Sequence, residues 1–170
     1  MKSKKNLVLL GMMGSGKSTT GLLLSKRLKI KFIDVDHKIE NDVGMKISDI
    51  FIQRGEKYFR NLEEKITLKL LDSTNNVIAL GGGGFINDRI RKEILKNNLS
   101  FWLYLSHLAL IDRIKKNNKR PIASKSTDSE LIELITKREK IYSKAQFKIN
   151  CNKLKKTEIV KKIIKLYEHN

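Results

Sequence analysis

Short apolar runs alternate with longer amphipathic stretches along this chain of 170 residues. The apolar runs have the length of buried strands, and the stretches between them repeat their apolar positions at the helical period. The predicted strands are Lys5–Leu10, Lys31–Asp36, Val77–Leu80, Leu99–Leu105 and Phe147–Asn150. The predicted helices cover about 17–28, 47–72 with a break at Gly55, 88–95, 107–114, 130–145 and the C-terminal residues. Strands that alternate with helices predict an α/β three-layer sandwich, in which helices cover both faces of a five-stranded parallel sheet.

Composition and length favour a single globular domain over residues 1–170. Hydrophobic residues make up 40% of the chain, too many for a disordered protein. No apolar stretch approaches the length of a membrane span. Met1–Lys5 and the apolar run after it imitate a signal peptide, but no small-residue cleavage site follows. We therefore expect a cytoplasmic protein with no membrane partner, in which the lone Cys151 is a small apolar filler.

The formal net charge of +18 raises the possibility of nucleic-acid binding. The lysines are spread along the chain, however, and the densest cluster, residues 153–165, falls on the polar side of the last helix. A solvated basic face that attracts small anions is the better interpretation, so we expect no nucleic-acid partner. Only eight of the 36 basic residues are Arg, which favours positions where a planar fork grips a carboxylate or phosphate.

The first strand leads into a glycine-rich turn that ends in Lys17 and Ser18. The spacing from Gly11 to Ser18 is that of a P-loop, G-x-x-x-x-G-K-[ST]. Its glycines let backbone N–H groups surround a phosphate, its lysine reaches the β- and γ-phosphates, and its serine hydroxyl holds Mg²⁺. The alternative is an ordinary strand–turn–helix corner, which the apolar run before the motif and the leucines after it make less favourable.

Acidic residues follow the second strand. Asp34 and Asp36 lie two apart, so on an extended chain they share one face. Acidic residues often end strands or cap helices, but a P-loop site also needs an acid near Mg²⁺. The usual donor is an Asp at the end of another apolar strand, and here Val77–Leu80 ends in glycine. The Asp34/Asp36 pair is therefore the best remaining candidate.

Three further segments carry polar or glycine-rich patterns with two interpretations each. Arg60 lies three residues before Glu63 and four after Glu56, which suits a surface ion-pair ladder or a functional site equally well. The glycines at 81–84 follow a buried strand, where they either let backbone amides approach a ligand or form a flexible loop. The basic stretch 115–126 is either a mobile lid over an anionic ligand, within limits of about 112–126, or a plain surface loop.

Taken in order, these motifs resemble the shikimate kinase family. The matching segments are Gly11–Ser18, Phe32–Asp36, Gly55–Glu63, Gly81–Gly83, Arg120–Pro121 and Arg138–Ala145. The resemblance implies a nucleoside-monophosphate-kinase-like P-loop NTPase fold with strand order 2-3-1-4-5. It also implies transfer of the γ-phosphoryl group of ATP to the 3-hydroxyl of shikimate, on the route to chorismate and the aromatic amino acids. A fourth glycine, Gly84, departs from the family pattern.

The resemblance also implies roles for individual residues. Lys17, Asp36 and Arg120 would be catalytic, and Ser18 and Asp34 would hold Mg²⁺. Residues that would bind ATP are Gly14, Ser15, Gly16, Lys17, Ser18, Thr19, Arg113, Arg120 and Pro121. Residues that would bind shikimate are Asp36, Arg60, Glu63, Gly81, Gly82, Gly83 and Arg138. Of the eight arginines, Arg60, Arg113, Arg120 and Arg138 fall on matched positions.

Two alternative functions remain open at this point. One is a related small-molecule kinase acting on gluconate or a nucleotide, although paired arginines with Asp36 favour a small hydroxylated carboxylate as the acceptor. The other is a nucleic-acid-dependent NTPase, which would use the high positive charge. We expect the chain to act as a monomer on shikimate and ATP.

Overall fold

Five parallel strands form one sheet in the computed structural model, which describes residues 5–116 and 126–169. The strands are β1 (Leu7–Leu10), β2 (Lys31–Asp34), β3 (Asn76–Ala79), β4 (Leu99–Tyr104) and β5 (Phe147–Asn150). Their order across the sheet is β2-β3-β1-β4-β5, and every neighbouring pair is parallel. The carboxyl ends of all five strands therefore meet at one edge, where α/β folds place their ligands. The fold class and the strand order are as predicted.

Helices cover both faces of this sheet. They are α1 (Lys17–Leu28), α2 (Val35–Val43), α3 (Ile47–Leu71), α4 (Asp88–Asn97), α5 (His107–Lys116), α6 (Asp128–Tyr142) and α7 (Lys156–Glu168), with a short 3₁₀ turn at Gly84–Ile86. The predicted break in α3 is present, because Gly55 has φ 81° and ψ 168°, outside the helical region. Over the two ranges given above, no helix has the length and apolar character needed to cross a membrane.

The core lies on the two faces of the central strands. All residues of β1 and β3 are buried, whereas the edge strands β2 and β5 are mostly half-exposed or exposed. Helix α1 packs so closely on β2 that a Cβ on Gly21 would stand 2.8 Å from Cδ2 of Phe32. This close packing fixes α1, the helix that follows the P-loop, against β2, the strand that ends at Asp34.

The second strand is shorter than predicted. It ends at Asp34, whose side chain accepts hydrogen bonds from the backbone N–H groups of Asp36 and His37 at 3.1 and 3.4 Å. Asp34 is therefore the N-cap of α2, and Asp36 lies in the first helical turn instead of on an extended strand. The predicted shared strand face was wrong, and a capped helix sets the positions of the two carboxylates.

The predicted lid, about 112–126, also changes at its start. Helix α5 continues to Lys116, so residues 112–116 are helical. The buried side chains of Ile111 and Ile114 hold this turn on the core, and an ion pair of 2.9 Å joins Asp112 to Lys116. Residues 117–125 of the predicted lid, which include Arg120 and Pro121, lie outside the described residues.

Candidate active site

The P-loop connects β1 to α1 and leaves the start of that helix open. Gly14 and Gly16 have φ of 79° and 94°, a left-handed conformation that favours glycine. No side chain from the described part of the chain caps the N-terminus of α1, and no acidic residue lies in its first turn. The first N–H groups of the helix therefore point into the loop, which is the arrangement that binds phosphate.

Two side chains within the loop add to this anion site. Lys17 is 9% exposed, and its Nζ donates hydrogen bonds to the carbonyl oxygens of Gly11 and Met12 at 2.9 and 3.0 Å. The Ser15 hydroxyl is buried and has no hydrogen-bond partner among the residues that the structure describes. A buried hydroxyl without a protein partner indicates a place where a ligand oxygen completes the hydrogen bonding.

A pair of oxygen donors lies beside the start of α1. The Ser18 hydroxyl donates to Oδ2 of Asp34 at 2.5 Å, while Oδ1 of Asp34 caps α2. No group of three or more His, Cys, Asp or Glu side chains gathers within residues 5–116 and 126–169. Mg²⁺ needs no such group, because it keeps several waters and takes one or two protein oxygens with substrate phosphates. Ser18 and Asp34 therefore fit a magnesium ion, whereas Thr19 is exposed in the same turn.

Arg113 approaches the P-loop from α5. Its Nη1 donates to the Gly14 carbonyl oxygen at 3.2 Å, and a Cβ on Gly14 would stand 3.4 Å from Cβ of Arg113. This contact closes the loop from the side opposite to β2. The arginine that the family resemblance assigns to ATP thus lies next to the loop.

Four charged side chains converge on the glycine run after β3. Oδ1 of Asp36 and Oε1 of Glu63 lie 2.6 and 2.8 Å from the point that a Cβ on Gly81 would occupy. Nη1 of Arg138 lies 3.2 Å from the corresponding point on Gly82, and Cζ of Arg60 lies 2.9 Å from that on Gly83. Gly81, Gly82 and Gly83 all lack a positive φ. Clearance for the charged side chains, and not backbone handedness, explains these glycines.

The Arg60–Glu63 pair adjoins the glycine run and is buried on its acidic side, unlike a pair that lies wholly on the surface. Glu63 is 2% exposed, and it accepts a hydrogen bond from Nη1 of Arg60 at 2.7 Å. Glu56 accepts from Nε of the same guanidinium at 3.3 Å. Burial raises the pKa of Glu63, and the charge of Asp36 raises it further, although the Arg60 charge opposes both effects. Burial is the largest influence on Arg60 and disfavours its cation, but the charges and hydrogen bonds of Glu63 and Glu56 together outweigh it and raise the pKa of Arg60.

The phosphate loop and the charged cluster adjoin each other. The backbone nitrogen of Met13 lies 3.6 Å from the point that a Cβ on Gly82 would occupy. Nη1 of Arg138 lies 3.6 Å from Sδ of Met12. A ligand held by Arg138 would therefore lie next to phosphates held by the loop.

Sequence reasoning left Tyr142 out of the site. Its hydroxyl donates to the Gly82 carbonyl oxygen, and its ring is 2% exposed. Burial raises the pKa of Tyr142 to about 12, although the neighbouring Arg138 charge acts in the opposite direction. The signal available in the sequence is the spacing from Arg138, since residues four apart share one face of a helix.

Comparisons with known proteins show the family of this chain. The shikimate kinase family model matches residues 13–168. The curated shikimate kinase of Thermodesulfovibrio yellowstonii is 40% identical over 165 residues, which cover 96% of this chain and 95% of that protein. The solved shikimate kinase from Acinetobacter baumannii in complex with shikimate superposes with a TM-score of 0.90 at 28% identity, covering 97% of this chain and 93% of that one. The enzyme from Aquifex aeolicus gives 0.85 at 35% identity, with 95% of each chain covered. The chain therefore belongs to the shikimate kinase family.

Proposed function

We propose that this chain transfers the γ-phosphoryl group of ATP to the 3-hydroxyl of shikimate, giving shikimate 3-phosphate and ADP. This reaction is a step towards chorismate and the aromatic amino acids. Membership of the shikimate kinase family supports the proposal. The structural observation that carries it is the convergence of Asp36, Arg60 and Arg138 over the glycine run, directly beside the P-loop.

The charged cluster suits an acceptor that has both a carboxylate and hydroxyl groups. Arg60 and Arg138 would grip the carboxylate, because a guanidinium presents two parallel N–H donors to it. Glu63 would hold Arg60 in the orientation that this grip needs. Asp36 would accept a hydrogen bond from a shikimate hydroxyl, and the amide of Gly82, between Gly81 and Gly83, would donate to the substrate.

The nucleotide would lie on the opposite side of the same cleft. The backbone of Gly14, Ser15, Gly16 and Thr19, with the Lys17 ammonium, would bind the phosphates of ATP. Arg113 and Pro121 would flank the adenine, and Arg120 would meet the phosphoryl group in transfer. Arg113 is already held against the loop through Gly14, which is consistent with that role.

Ser18 and Asp34 would hold Mg²⁺ through their oxygen atoms. When bound, the ion would neutralise charge on the β- and γ-phosphate oxygens of ATP. The two residues are suited to this position because Asp34 is itself fixed as the cap of α2.

Transfer of a phosphoryl group demands positioning and charge stabilisation more than covalent chemistry. The 3-oxygen of shikimate forms a bond to the γ-phosphorus as the bond from that phosphorus to the bridging oxygen of ADP breaks. Lys17 and Arg120 stabilise the charge that develops on the transferring group. Asp36 orients the hydroxyl and receives its proton as the new bond forms.

The test offers several acceptors to the purified protein and measures ADP release. Shikimate should support turnover, whereas gluconate, nucleoside monophosphates and RNA should not. Arg60→Lys and Arg138→Lys should each raise the KM for shikimate about tenfold or more, while the KM for ATP changes little. Arg89→Lys is the matched control, because Arg89 is exposed and pairs with Glu64 at 2.5 Å outside the cluster. Turnover with RNA or gluconate but not shikimate would overturn the proposal.

The monomeric state, the lack of a nucleic-acid partner and the cytoplasmic location stay predictions from the sequence. Sedimentation of the purified chain would test the first of them. The RNA arm of the turnover assay, repeated at several salt concentrations, would test the second.

A further inference from the structure

We infer that Tyr142 is a positioning residue for the acceptor pocket, because its buried hydroxyl fixes the Gly82 peptide against the guanidinium of Arg138. The inference rests on the proposed function, since it concerns the pocket assigned to shikimate. The effect of Tyr142 reaches the substrate through the Gly82–Gly83 peptide and Arg138.

The ring of Tyr142 is anchored in the core, and only its hydroxyl reaches the site. Tyr142 is the last residue of α6, is 2% exposed, and packs on Trp102 with ring centroids 6.0 Å apart. From this fixed ring the hydroxyl donates a hydrogen bond to the Gly82 carbonyl oxygen. The core therefore sets the position of the hydroxyl, and the hydroxyl sets the position of the carbonyl.

Fixing this carbonyl also fixes a neighbouring donor. The carbonyl of Gly82 and the N–H of Gly83 belong to one planar peptide and point in opposite directions. Neither Gly82 nor Gly83 donates a backbone hydrogen bond to another part of the chain that the structure describes. A run of glycines can rotate its peptides at low cost, so an external restraint is needed to keep the Gly82–Gly83 peptide, with its Gly83 N–H, in one direction. The Tyr142 hydroxyl supplies that restraint.

Tyr142 acts on Arg138 as well as on the glycine run. The two residues lie four apart on α6 and share one face of the helix. Nη1 of Arg138 lies 3.2 Å from the point that a Cβ on Gly82 would occupy, so the guanidinium and the hydroxyl meet the same residue. With its pKa at about 12, raised by burial, the hydroxyl stays protonated at neutral pH and remains a donor. A role in positioning fits this state, and a role as an acid or base does not.

The Tyr142→Phe variant removes the hydroxyl and keeps the ring. We expect the KM and the Kd for shikimate to rise about three- to tenfold, which corresponds to the loss of one hydrogen bond. The KM for ATP should stay within about twofold of the wild-type value, because the P-loop does not depend on this hydroxyl. The matched control is Tyr167→Phe, which makes the same chemical change at a tyrosine that is 3% exposed on α7. That control should leave both KM values unchanged.

A double-mutant cycle separates positioning from general stability. Shikimate Kd is measured by calorimetry for Arg138→Lys alone and combined with each tyrosine variant. Tyr142→Phe should lose most of its effect in the Arg138→Lys background, whereas Tyr167→Phe should add nothing in either background. Equal loss of ATP and shikimate binding, full additivity with Arg138→Lys, or failure of Tyr142→Phe to fold would overturn the inference, because each places the hydroxyl's role in the core. A wild-type protein that does not phosphorylate shikimate would instead overturn the proposed function.

Discussion

Alanine substitutions along the glycine run test whether clearance shapes the acceptor pocket. A Cβ on Gly81 would stand 2.6 Å from Oδ1 of Asp36, whereas a Cβ on Gly84 would stand 3.5 Å from its nearest neighbour, in Leu80. Ordinary contacts of a Cβ begin near 3.4 Å. In Gly81→Ala the Asp36 carboxylate must therefore retreat by about 0.8 Å and the Glu63 carboxylate, 2.8 Å from the same point, by about 0.6 Å, while Gly84→Ala requires no movement.

The size of the expected effect follows from this displacement. A misplacement of about 1 Å in a reacting group costs roughly 100-fold in rate, so the kcat of Gly81→Ala should fall about 10- to 100-fold. Overpacking should also lower its free energy of unfolding by about 1–3 kcal/mol. Gly84→Ala, the matched control, should keep kcat within about twofold, because its added methyl group makes only an ordinary contact.

The assay is ADP release at saturating ATP and shikimate, with thermal unfolding measured on the same samples. Comparable losses of kcat in Gly81→Ala and Gly84→Ala would mean that the run serves backbone freedom instead of clearance. An unaltered kcat in Gly81→Ala would mean that Asp36 can move without consequence, which would refute its place beside the reacting hydroxyl.

Three further predictions concern the P-loop, the buried acid and the packing of α1. Lys17→Ala should lower kcat at least about 100-fold while shikimate Kd by calorimetry is retained, and near-normal turnover would contradict the P-loop assignment. Because the pKa of Glu63 is raised in the folded protein, this group stabilises the fold below its ordinary pKa of 4.5 and loses that contribution as pH rises through the raised value. Denaturant titrations across this range should therefore show a flatter pH dependence in Glu63→Gln, and an unchanged slope would count against the burial argument. In Gly21→Ala the added methyl group would clash with the ring of Phe32. We expect the free energy of unfolding to fall by about 1–3 kcal/mol and the melting temperature to fall with it, with little change in the KM for shikimate.

Local patterns in the sequence predict the strands and loops that carry the site, but not which side chains the fold brings into contact. The apolar run of β1 and the helix after the P-loop depend on neighbouring residues only, and both are present, although β1 begins at Leu7 instead of Lys5. Asp34 and Asp36 were placed on a strand because a single apolar residue separates them, which imitates period-two alternation. The capping hydrogen bonds that end this strand compete with that pattern, and alternation alone could not decide between them.

The reason for the glycine run was also beyond sequence reasoning. From the sequence, the glycine run was expected to let backbone amides approach a ligand. That approach stays a prediction. The structure adds that side chains from α2 and α3 occupy the space where a Cβ would stand. Those side chains come from Asp36 and Glu63, and only the folded chain brings them to β3. Tyr142 was missed for the same reason, since its partner Gly82 lies 60 positions away.

An arginine outside the family motifs also has a structural role beside the site. Arg91 falls outside the family motifs, yet its Nη1 donates to the carbonyl oxygens of Phe85 and Ile86 at 3.0 and 2.9 Å. These bonds hold the 3₁₀ turn at Gly84–Ile86, which ends the glycine run. Its Nη2 pairs with Asp88 at the same time, so one guanidinium joins the 3₁₀ turn to the start of α4 through two nitrogens, whereas a lysine side chain has only one.

The break in α3 gives Gly55 a requirement unlike that of Gly81. Gly55 has φ 81° and ψ 168°, a region that is essentially closed to L-residues, yet among the described residues no heavy atom beyond its own stretch of helix lies within 4 Å of the point that its Cβ would occupy. This position therefore requires a left-handed backbone conformation, although there is enough space for a side chain. A D-alanine introduced there by chemical ligation would adopt the mirror image of an ordinary extended conformation and should preserve the melting temperature. L-alanine at the same position should cost about 1–3 kcal/mol of stability, so one chiral centre would distinguish a handedness requirement from a requirement for space.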